Sequence, residues 1–290
     1  MTDLVEESTN DVDHRVACTV EDGVAEVRLA RADKLNALDP AMFSALVTTG
    51  LRIRDDPRVR AVVLHGAGRG FCAGLDVDSF RDMVTGDHEP DRQQAAPAEP
   101  IGPARAPGQQ AAHVWAHLPI PVIAAVHGVA LGGGLQVALG ADIRLVAPDA
   151  HLSVMEVRWG LIPDMTGTQL LPELVGRDVA KELTFTGRVV TGQEAVALGL
   201  ATRVEADPLA AARTLAAEIA AKSPDAIRHA KHLLDSAGHV SLETGFAAEQ
   251  DSIRALIGSS NQTEAVEANF ARRAPSFTDP SPYRPAQERR

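Results

Sequence analysis

Cysteine is scarce in this chain. Cys18 and Cys72 are the two cysteines among 290 residues, too few for the disulfide framework of a small secreted scaffold. Neither has a metal-ligand spacing with histidine, so no metal site is predicted. Cys72 follows a glycine turn, and a nucleophile is one interpretation of it. No base lies close to it in sequence, so we favour a small residue that fills space. This composition suits a reducing compartment, and we predict the cytoplasm.

Basic residues are outnumbered. Lysine and arginine total 28 against 39 aspartates and glutamates, which gives a net charge of -11. A nucleic-acid surface needs a basic footprint, and this balance argues against one. We therefore predict no nucleic-acid partner. An anionic ligand has to be met by local basic residues.

Long uninterrupted apolar runs are missing as well. The most membrane-like stretch, residues 120–147, is broken by a proline, a histidine, a run of three glycines and charged residues. It reads as a buried strand, a turn and a helix, not as a membrane span. The acidic first residues contain no apolar signal-peptide core. We predict neither export nor a membrane partner.

The length favours one domain with an appendage. Residues 1–13 form an acidic tail, residues 14–206 a core and residues 207–290 a helical segment. Residues 85–110 are rich in Pro, Ala, Gly and Gln, which predicts a long mobile loop. A disordered insertion and a lid over a ligand site are both open interpretations of this loop.

Residue patterns predict an α/β fold. An Asp-Gly pair joins the first two strands as a hairpin, Asp39-Pro40 starts a helix, and Thr191–Glu194 is a capping box. Strands are predicted over residues 15–20, 24–29, 61–64, 121–126, 143–146 and 201–204. Helices are predicted over residues 40–54, 135–141, 195–198, 209–222, 225–237, 242–257 and 263–273.

Two glycine-rich turns carry the first functional signal. Gly132, Gly133 and Gly134 separate a β-branched apolar run from a helical one. Glycine lets the main chain approach a ligand closely, and the start of a helix leaves unpaired N–H groups. A second turn, residues 66–74, follows the strand over residues 61–64. Together the turns could supply the paired N–H donors of an oxyanion hole, although glycines at such turns also serve packing.

Five short motifs follow one another along the chain. They are Arg31–Leu38, with Ala32 where proline is usual, Phe71–Asp76, Gly132–Gly134, Glu156–Pro163 and Gly167–Gln169. In this order they resemble the enoyl-CoA hydratase/isomerase (crotonase) superfamily, from about residue 14 to residue 279. The resemblance implies a crotonase-like spiral of repeated strand-strand-helix units. It also implies a C-terminal helical segment that packs between the subunits of a homotrimer, often doubled to a hexamer.

The resemblance implies an acyl-CoA thioester as substrate, with coenzyme A as part of the substrate and no separate cofactor. The amides of Leu75 and Gly133 match the oxyanion-hole donors, and the carbonyl of Ala73 matches a contact to the CoA adenine. The residues expected to bind the substrate or CoA are Lys34, Ala73, Gly74, Asp76, Gly132, Phe270 and Arg273. Lys34 is a candidate phosphate contact. Phe270 and Arg273 resemble a pair that reaches a neighbouring subunit's CoA, although a solvated helix end also accounts for Arg273.

Three side chains bear on proton transfer. Glu156 matches a catalytic glutamate of the family, although an exposed loop glutamate is the plainer interpretation. Gln136 stands where hydratases carry a second glutamate, and glutamine can orient water but cannot act as a general acid or base. Asp164 resembles a catalytic aspartate of the dienoyl-CoA isomerases. It is equally open to interpretation as a helix N-cap.

We therefore predict an enzyme of hydratase/isomerase type, with Glu156 as acid and base and an oxyanion hole that stabilises a thioester enolate. Isomerisation of a double bond is preferred to hydration because of Gln136. A true 2-enoyl-CoA hydratase and a non-catalytic acyl-CoA-binding protein are the alternatives.

Asp142 and Arg144 are expected to pair within the core.

Overall fold

The computed structural model describes residues 15–85 and 99–280, so the predicted tail over residues 1–13 lies outside it. It opens with the predicted hairpin of β1 (Val16–Glu21) and β2 (Val24–Leu29), which are antiparallel. Asp22 and Gly23 between them have φ values of 47° and 79°. Two positive φ angles are what a tight hairpin turn requires, which is why Asp-Gly predicts it.

Two sheets organise the part of the chain that is described. The larger has six strands in the order β1-β2-β3-β4-β6-β9, and the smaller has three in the order β5-β7-β8. From β2 onward the larger sheet is parallel. The remaining strands are β3 (Ala61–Gly66), β4 (Val122–Val126), β5 (Val129–Leu131), β6 (Ile143–Val146), β7 (His151–Ser153), β8 (Val190–Thr191) and β9 (Arg203–Val204). The predicted mixed α/β fold is confirmed.

Helices cover the sheets and continue beyond them. They are α1 (Pro40–Asp55), α2 (Val77–Thr85), α3 (Pro107–Ala116), α4 (Gly133–Leu139), α5 (Gly167–Val175), α6 (Arg177–Thr186), α7 (Gly192–Leu198), α8 (Pro208–Ala220), α9 (Pro224–Ser236), α10 (Leu242–Leu256) and α11 (Ser260–Ala271). Side chains cap the helices whose first residues the sequence predicts from a capping pattern. Asp39 accepts from the Met42 amide, and Thr191 accepts from the Glu194 amide. Such caps satisfy N–H groups that the helix itself leaves unpaired.

The core lies on both faces of the larger sheet. Alternate residues along a strand point to opposite faces. On one face Leu64 packs with apolar residues of α1 and α3, including Met42 and Trp115. On the other face Val63 packs with alanines of α8. With β3 buried along its whole length, the turn that follows it is held in a rigid frame.

The predicted loop over residues 85–110 is wrong at its C-terminal end. Helix α3 begins at Pro107, and Ile101 and Ala104 form a buried bridge with each other. Residues 86–98 lie outside the described part of the chain. Composition misled here because small residues were taken as loop formers. Helix α3 packs against α1 and α4, and Gln110 is among its buried residues.

Asp142 and Arg144 do not form the expected ion pair. The Asp142 carboxylate is bonded to Lys231 at 2.6 Å, whereas the Arg144 guanidinium donates to the carbonyls of Leu200 and Ala141. Asp142 precedes β6, and its carboxylate is bonded to α9 instead of to Arg144. Among the helices described, none is long and apolar enough to cross a bilayer.

Candidate active site

One cavity of about 730 Å³ collects nearly all the candidate residues. It lies where the turn after β3 meets the start of α4 and the 3₁₀ helix Glu156–Trp159. Phe270 and Arg273 are the two candidates that do not line it. The candidates that line it are Lys34, Ala73, Gly74, Leu75, Asp76, Gly132, Gly133, Gln136, Glu156 and Asp164. Residues from four separate motifs thus share one site.

A buried asparagine holds the first glycine turn in place. The Nδ2 atom of Asn36 lies 2.9 Å from the Gly70 carbonyl and 3.1 Å from the Phe71 carbonyl. Its Oδ1 accepts from the Arg31 amide. Asn36 has a φ of 57°, a conformation that asparagine tolerates better than most residues. Our sequence interpretation missed this role, although an asparagine beside the turn was a usable signal.

Backbone bridges join the two glycine turns. Cys72 exchanges hydrogen bonds with β5, and Leu38 bonds to the residues on either side of Leu75. This bridge directs the Leu75 N–H away from Leu38. A Cβ placed on Gly74 would lie 2.5 Å from the Leu131 oxygen and 3.6 Å from the Gly133 nitrogen. The close approach therefore requires glycine at position 74.

The Gly133 amide is available because of its place in α4. Gly133 is the first residue of that helix, and a first-turn N–H has no acceptor within its own helix. The dipole of the helix adds a positive end there. Two N–H groups from residues far apart in sequence thus lie beside the same cavity. Paired donors of this kind can stabilise a developing oxyanion.

Glu156 begins the 3₁₀ helix, and its carboxylate is largely buried. Its Oε1 accepts a hydrogen bond from Gln136 Nε2 at 2.5 Å. Its Oε2 is buried and has no hydrogen-bond partner within the described ranges. Burial raises the pKa of Glu156 and the charge of Asp164 raises it further, against the lowering by hydrogen bonds from its own backbone and from Gln136. The plain interpretation as an exposed loop glutamate is wrong.

Gln136 is almost completely buried, at 1% exposure. Its Oε1 accepts from the Met165 amide at 2.8 Å and from the Gly167 amide at 3.0 Å. Backbone N–H groups can only donate, so the oxygen must face them and the NH₂ group must face Glu156. The orientation of this amide is therefore set by its neighbours.

Asp164 lies in the same cavity but in a different environment. Its side chain is exposed, and it adds a second carboxylate to the site. Helix α5 starts at Gly167, with Thr166 at the N-cap position. The interpretation of Asp164 as the N-cap of this helix is therefore wrong. Its exposure and its place in the cavity leave it accessible to a ligand.

Charges at the cavity have different roles. Asp76 is 5% exposed, and its carboxylate is engaged by the Arg31 guanidinium and the Asp78 amide. Burial alone would raise the pKa of Asp76, but these hydrogen bonds hold it below its usual value.

Lys34 also lines the cavity, as does Arg69. Arg69 was absent from our sequence-based set, and it supplies the local positive charge that an acidic protein needs for an anionic ligand.

An apolar wall completes the cavity. The rings of Phe80 and Trp159 stack with their centroids 4.3 Å apart, which joins α2 to the 3₁₀ helix of Glu156. The apolar residues that line the cavity are Leu38, Phe43, Val77, Phe80, Met83, Met155, Trp159, Leu161, Ile162 and Met165. Most of them were missed from sequence because they come from stretches of the chain that are far apart in sequence. A wall of this kind suits a hydrocarbon chain.

Cys72 does not have the properties of a nucleophile. It is fully buried, and burial raises the pKa of its thiol to about 12. Its Sγ lies 3.0 Å from the Asn36 carbonyl. A thiol at neutral pH in an apolar site is unreactive. The interpretation as a small residue that fills space is confirmed.

Phe270 and Arg273 lie at the end of α11, outside the cavity of their own chain. Phe270 is 85% exposed. The Arg273 guanidinium is paired with Glu264, with Nη2 lying 2.8 Å from Oε2. Their assignment to a neighbouring subunit's CoA stays a prediction.

Comparison with known proteins finds similar sequences. The family model for enoyl-CoA hydratase/isomerase matches residues 19–280. The mouse mitochondrial methylglutaconyl-CoA hydratase is 33% identical over 262 residues, covering 88% of this chain and 79% of that protein. The 1,2-epoxyphenylacetyl-CoA isomerase of Escherichia coli (strain K12) is 34% identical over 268 residues, covering 89% of this chain and 96% of that protein.

Solved structures show the same fold. The crystal structure of enoyl-CoA hydratase from Bacillus anthracis has a TM-score of 0.82 at 31% identity, covering 92% of this chain and 100% of that chain. A hydratase and an isomerase are thus about equally similar to this sequence. Similarity alone does not choose between the two reactions.

Proposed function

The chain belongs to the enoyl-CoA hydratase/isomerase family and is an enzyme of that family, and from this premise we propose that its reaction is the movement of a double bond along an acyl-CoA. The carrying observation is that the largely buried carboxylate of Glu156 lines the same cavity as the two backbone amides of Leu75 and Gly133. This arrangement can move a proton and hold the negative charge that the movement creates.

In the proposed mechanism the thioester oxygen accepts hydrogen bonds from the amides of Leu75 and Gly133. The carboxylate of Glu156 removes a proton from C2 of a 3-enoyl-CoA. The electron pair moves into a dienolate, whose charge rests on the thioester oxygen. The protonated Glu156 then returns the proton to C4, and the double bond ends between C2 and C3. Both steps balance with no added reagent.

The neighbour of Glu156 favours isomerisation over water addition. In hydration a water attacks one carbon and loses a proton, while the other carbon of the double bond gains a proton. Two carboxylates can divide these two proton transfers between them. Gln136 offers an amide instead, and its carbonyl is already occupied by two backbone donors. One acid/base group is sufficient for isomerisation.

Substrate binding follows from the two sides of the cavity. Lys34 and Arg69 supply positive charge toward the phosphates of CoA. Ala73 offers its carbonyl to the adenine, while Gly74 and Gly132 let the backbone approach the thioester. The acyl chain lies along the apolar wall that contains the Phe80–Trp159 stack. Asp76 acts through Arg31 and does not contact the anion.

The proposed active form is a homotrimer or a hexamer. Large apolar side chains on the helices after residue 207 are exposed in the single chain, and burial against another copy would remove them from water. They include Leu234, Leu242, Phe246, Ile253, Ile257 and Phe270. In such an assembly Phe270 and Arg273 reach the CoA of the neighbouring subunit.

The test is the product formed from a panel of 2-enoyl-, 3-enoyl- and 3,5-dienoyl-CoA thioesters, separated by chromatography. We expect the 3-enoyl-CoA to have the highest kcat/KM and to give the 2-enoyl product. If water addition to the 2-enoyl-CoA is the fastest reaction, the enzyme is a true hydratase. Binding of all thioesters without product indicates the non-catalytic alternative.

Asp164 supports a second candidate, isomerisation of a 3,5-dienoyl-CoA. Its exposed carboxylate shares the cavity with Glu156 and acts on it through charge, so the proton could be removed by one group and returned by the other. Asp164→Asn separates the candidates. A loss of about 10²-fold or more in dienoyl isomerisation, with 3-enoyl isomerisation retained, would support a catalytic Asp164.

A further inference from the structure

Two consecutive residues beside the cavity have left-handed backbones, and neither is glycine. Leu35 has φ 49° and ψ 38°, and Asn36 has φ 57°. Asparagine tolerates this conformation, whereas for a residue such as leucine it is uncommon and costs free energy. Backbone strain of this kind persists only where the surrounding contacts enforce it, and it concentrates at functional sites. The contacts that enforce it here all lead to the first glycine turn.

The backbone of residues 35–38 is bonded to the residues on either side of Leu75. Three backbone hydrogen bonds of 2.7–2.9 Å make this connection. They run from the Ala73 amide to the Leu35 carbonyl, from the Leu38 amide to the Gly74 carbonyl, and from the Asp76 amide to the Leu38 carbonyl. Because both flanks of Leu75 are tied to one short segment, the position of the Leu75 N–H depends on the conformation of that segment.

The Asn36 side chain holds the earlier part of the same turn. Its Nδ2 atom lies 2.9–3.1 Å from the carbonyl oxygens of Ala67, Gly70 and Phe71. Its Oδ1 accepts from the Arg31 amide at 2.9 Å. The residue is fully buried, at 0% exposure. A buried carbonyl that loses its donor is costly, so removal of this amide would favour a different conformation of the turn.

We propose that Asn36 is a positioning residue for the Leu75 amide. Its left-handed backbone shapes the segment that is bonded to residues 73–76, and its side chain holds residues 67–71. Asn36 is not among the residues that line the cavity, so it acts through the backbone and not on the substrate. The inference rests on the proposed oxyanion hole and extends it to the group that sets one of its donors. Displacement of a catalytic group by about 1 Å can cost about 10²-fold in rate.

The first test removes the side chain and keeps the backbone. Asn36→Gly does this because glycine adopts a positive φ without strain. We expect kcat for a 3-enoyl-CoA to fall by about 10²-fold as the Leu75 amide moves out of place. KM should stay within about threefold of the wild-type value, since the walls of the cavity are unchanged. A kcat within about twofold of the wild type would overturn the proposal.

A matched control addresses general loosening of the structure. Asn261 on α11 is also a buried asparagine, at 2% exposure. Its Nδ2 donates to the Thr278 carbonyl at 3.2 Å, and its Oδ1 accepts from the Thr278 amide at 3.0 Å. Asn261→Ala, which suits a helix, should lower Tm and leave kcat at the wild-type level when the thioester is saturating. If both variants lower kcat equally, the effect is nonspecific and the proposal fails.

A second variant covers the case in which Asn36→Gly does not fold. Asn36→Asp keeps the shape of the side chain, tolerates the left-handed conformation and keeps an oxygen for the Arg31 amide. Aspartate has no N–H group, and its protonated form has a single O–H. At most one of the three carbonyls of the turn then keeps a donor. We expect kcat to fall as in Asn36→Gly, and a wild-type kcat would count against the positioning role.

A readout without turnover separates this inference from the proposed function. The probe is a saturated acyl-CoA with ¹³C at the thioester carbonyl, which can neither isomerise nor add water. Hydrogen bonds from an oxyanion hole polarise the carbonyl, so difference infrared spectroscopy should place its stretch at lower wavenumber in the wild-type complex than in water.

In Asn36→Gly the shift of this stretch should fall to roughly half, because one of the two donors is displaced. Asn261→Ala should keep the full shift. A full shift in Asn36→Gly would overturn the positioning role and leave the oxyanion hole standing. If the wild-type complex shows no shift, the proposed oxyanion hole is contradicted, and the role of Asn36 with it.

Discussion

The core of this protein and its C-terminal helices bury their apolar residues to different extents. The largest fully buried side chains lie between Leu29 and Leu152. The helices after Pro208 instead expose several of the largest, such as Leu242 and Phe270. Both regions have well-capped helices, so the contrast does not come from helix propensity. The core is complete within one chain, whereas the C-terminal helices lack something to pack against.

The contrast also separates two kinds of functional residue. The carboxylate of Glu156, the amide of Gln136 and the two proposed oxyanion donors are held by contacts within one chain. Phe270 and Arg273 are outside that set. We therefore expect changes in the core to alter chemistry, and changes in the C-terminal helices to alter assembly and CoA affinity.

The largest expected effect follows from Glu156→Gln. The substitution keeps the shape of the side chain and removes proton transfer, so kcat should fall by about 10²–10⁴. Binding of a CoA thioester, measured by calorimetry, should persist because the cavity is unchanged. Activity within a factor of about two of the wild type would show that Glu156 is not the catalyst.

Gly74→Ala tests the backbone that holds the proposed oxyanion hole. Gly74 has φ 87°, and an added Cβ would lie 2.5 Å from the Leu131 oxygen. The Leu75 amide should then move away from the Gly133 amide and lower kcat by about 10²–10³. Gly160→Ala is a control, since that glycine also has a positive φ but no atom of the residues that the structure describes lies within 4 Å of its added Cβ. Equal losses in both variants would indicate general backbone damage.

Leu242→Asp combined with Phe246→Asp tests the other region. Both side chains are exposed in the single chain, at 76% and 60%, so the folded monomer should keep its helix content. An assembly that buries them should dissociate, and sedimentation velocity measures this directly. We expect KM for a CoA thioester to rise by roughly tenfold as the neighbouring subunit is lost. Gln250→Asp on the same helix is the polar control. If the wild-type protein sediments as an active monomer, the predicted interface between subunits is contradicted.

The smallest expected effect concerns stability and pH. The pKa of Glu156 is raised on folding, so between its unfolded and folded values the native chain binds more protons. The free energy of unfolding contributed by this group therefore falls as pH rises through that window. Glu156→Gln should raise Tm at pH 8 by a few degrees, since about 1 kcal/mol shifts Tm by roughly 2–4 °C. At pH 4 the two proteins should melt alike, as checked by calorimetry.

In the wild type kcat/KM should rise with pH through the same window, because the carboxylate is the active form.

Local patterns predicted much of the fold. The Asp22-Gly23 turn, the caps at Asp39 and Thr191, and the α/β class depend on neighbours in sequence, and each is found. The loop over residues 85–110 failed for a related reason. Its residues from Pro107 onward belong to α3, which packs against α1 and α4, and composition does not encode such packing.

The residues of the site also fall into those that local sequence patterns predicted and those that depend on tertiary packing. Motif order and glycine spacing identified the residues that line the cavity, because backbone donors need glycine wherever chains approach closely. The apolar wall and Arg69 were not identified, since their segments meet only in three dimensions. Asp164 was open to interpretation as a cap until α5 was found to begin at Gly167.

The sequence by itself determined the family, the strand and helix pattern, and the presence of Glu156 beside glycine-rich turns. These rest on short-range preferences and on motifs that survive as strings of residues. Only the tertiary structure decided that Gln136 faces Glu156 with its NH₂ group and that Oε2 has no partner in the described part of the chain. The physical reason is that the orientation of an amide is set by the donors around it. Here those donors are the backbone of residues 165 and 167, which reach Gln136 only once α5 has packed beside α4.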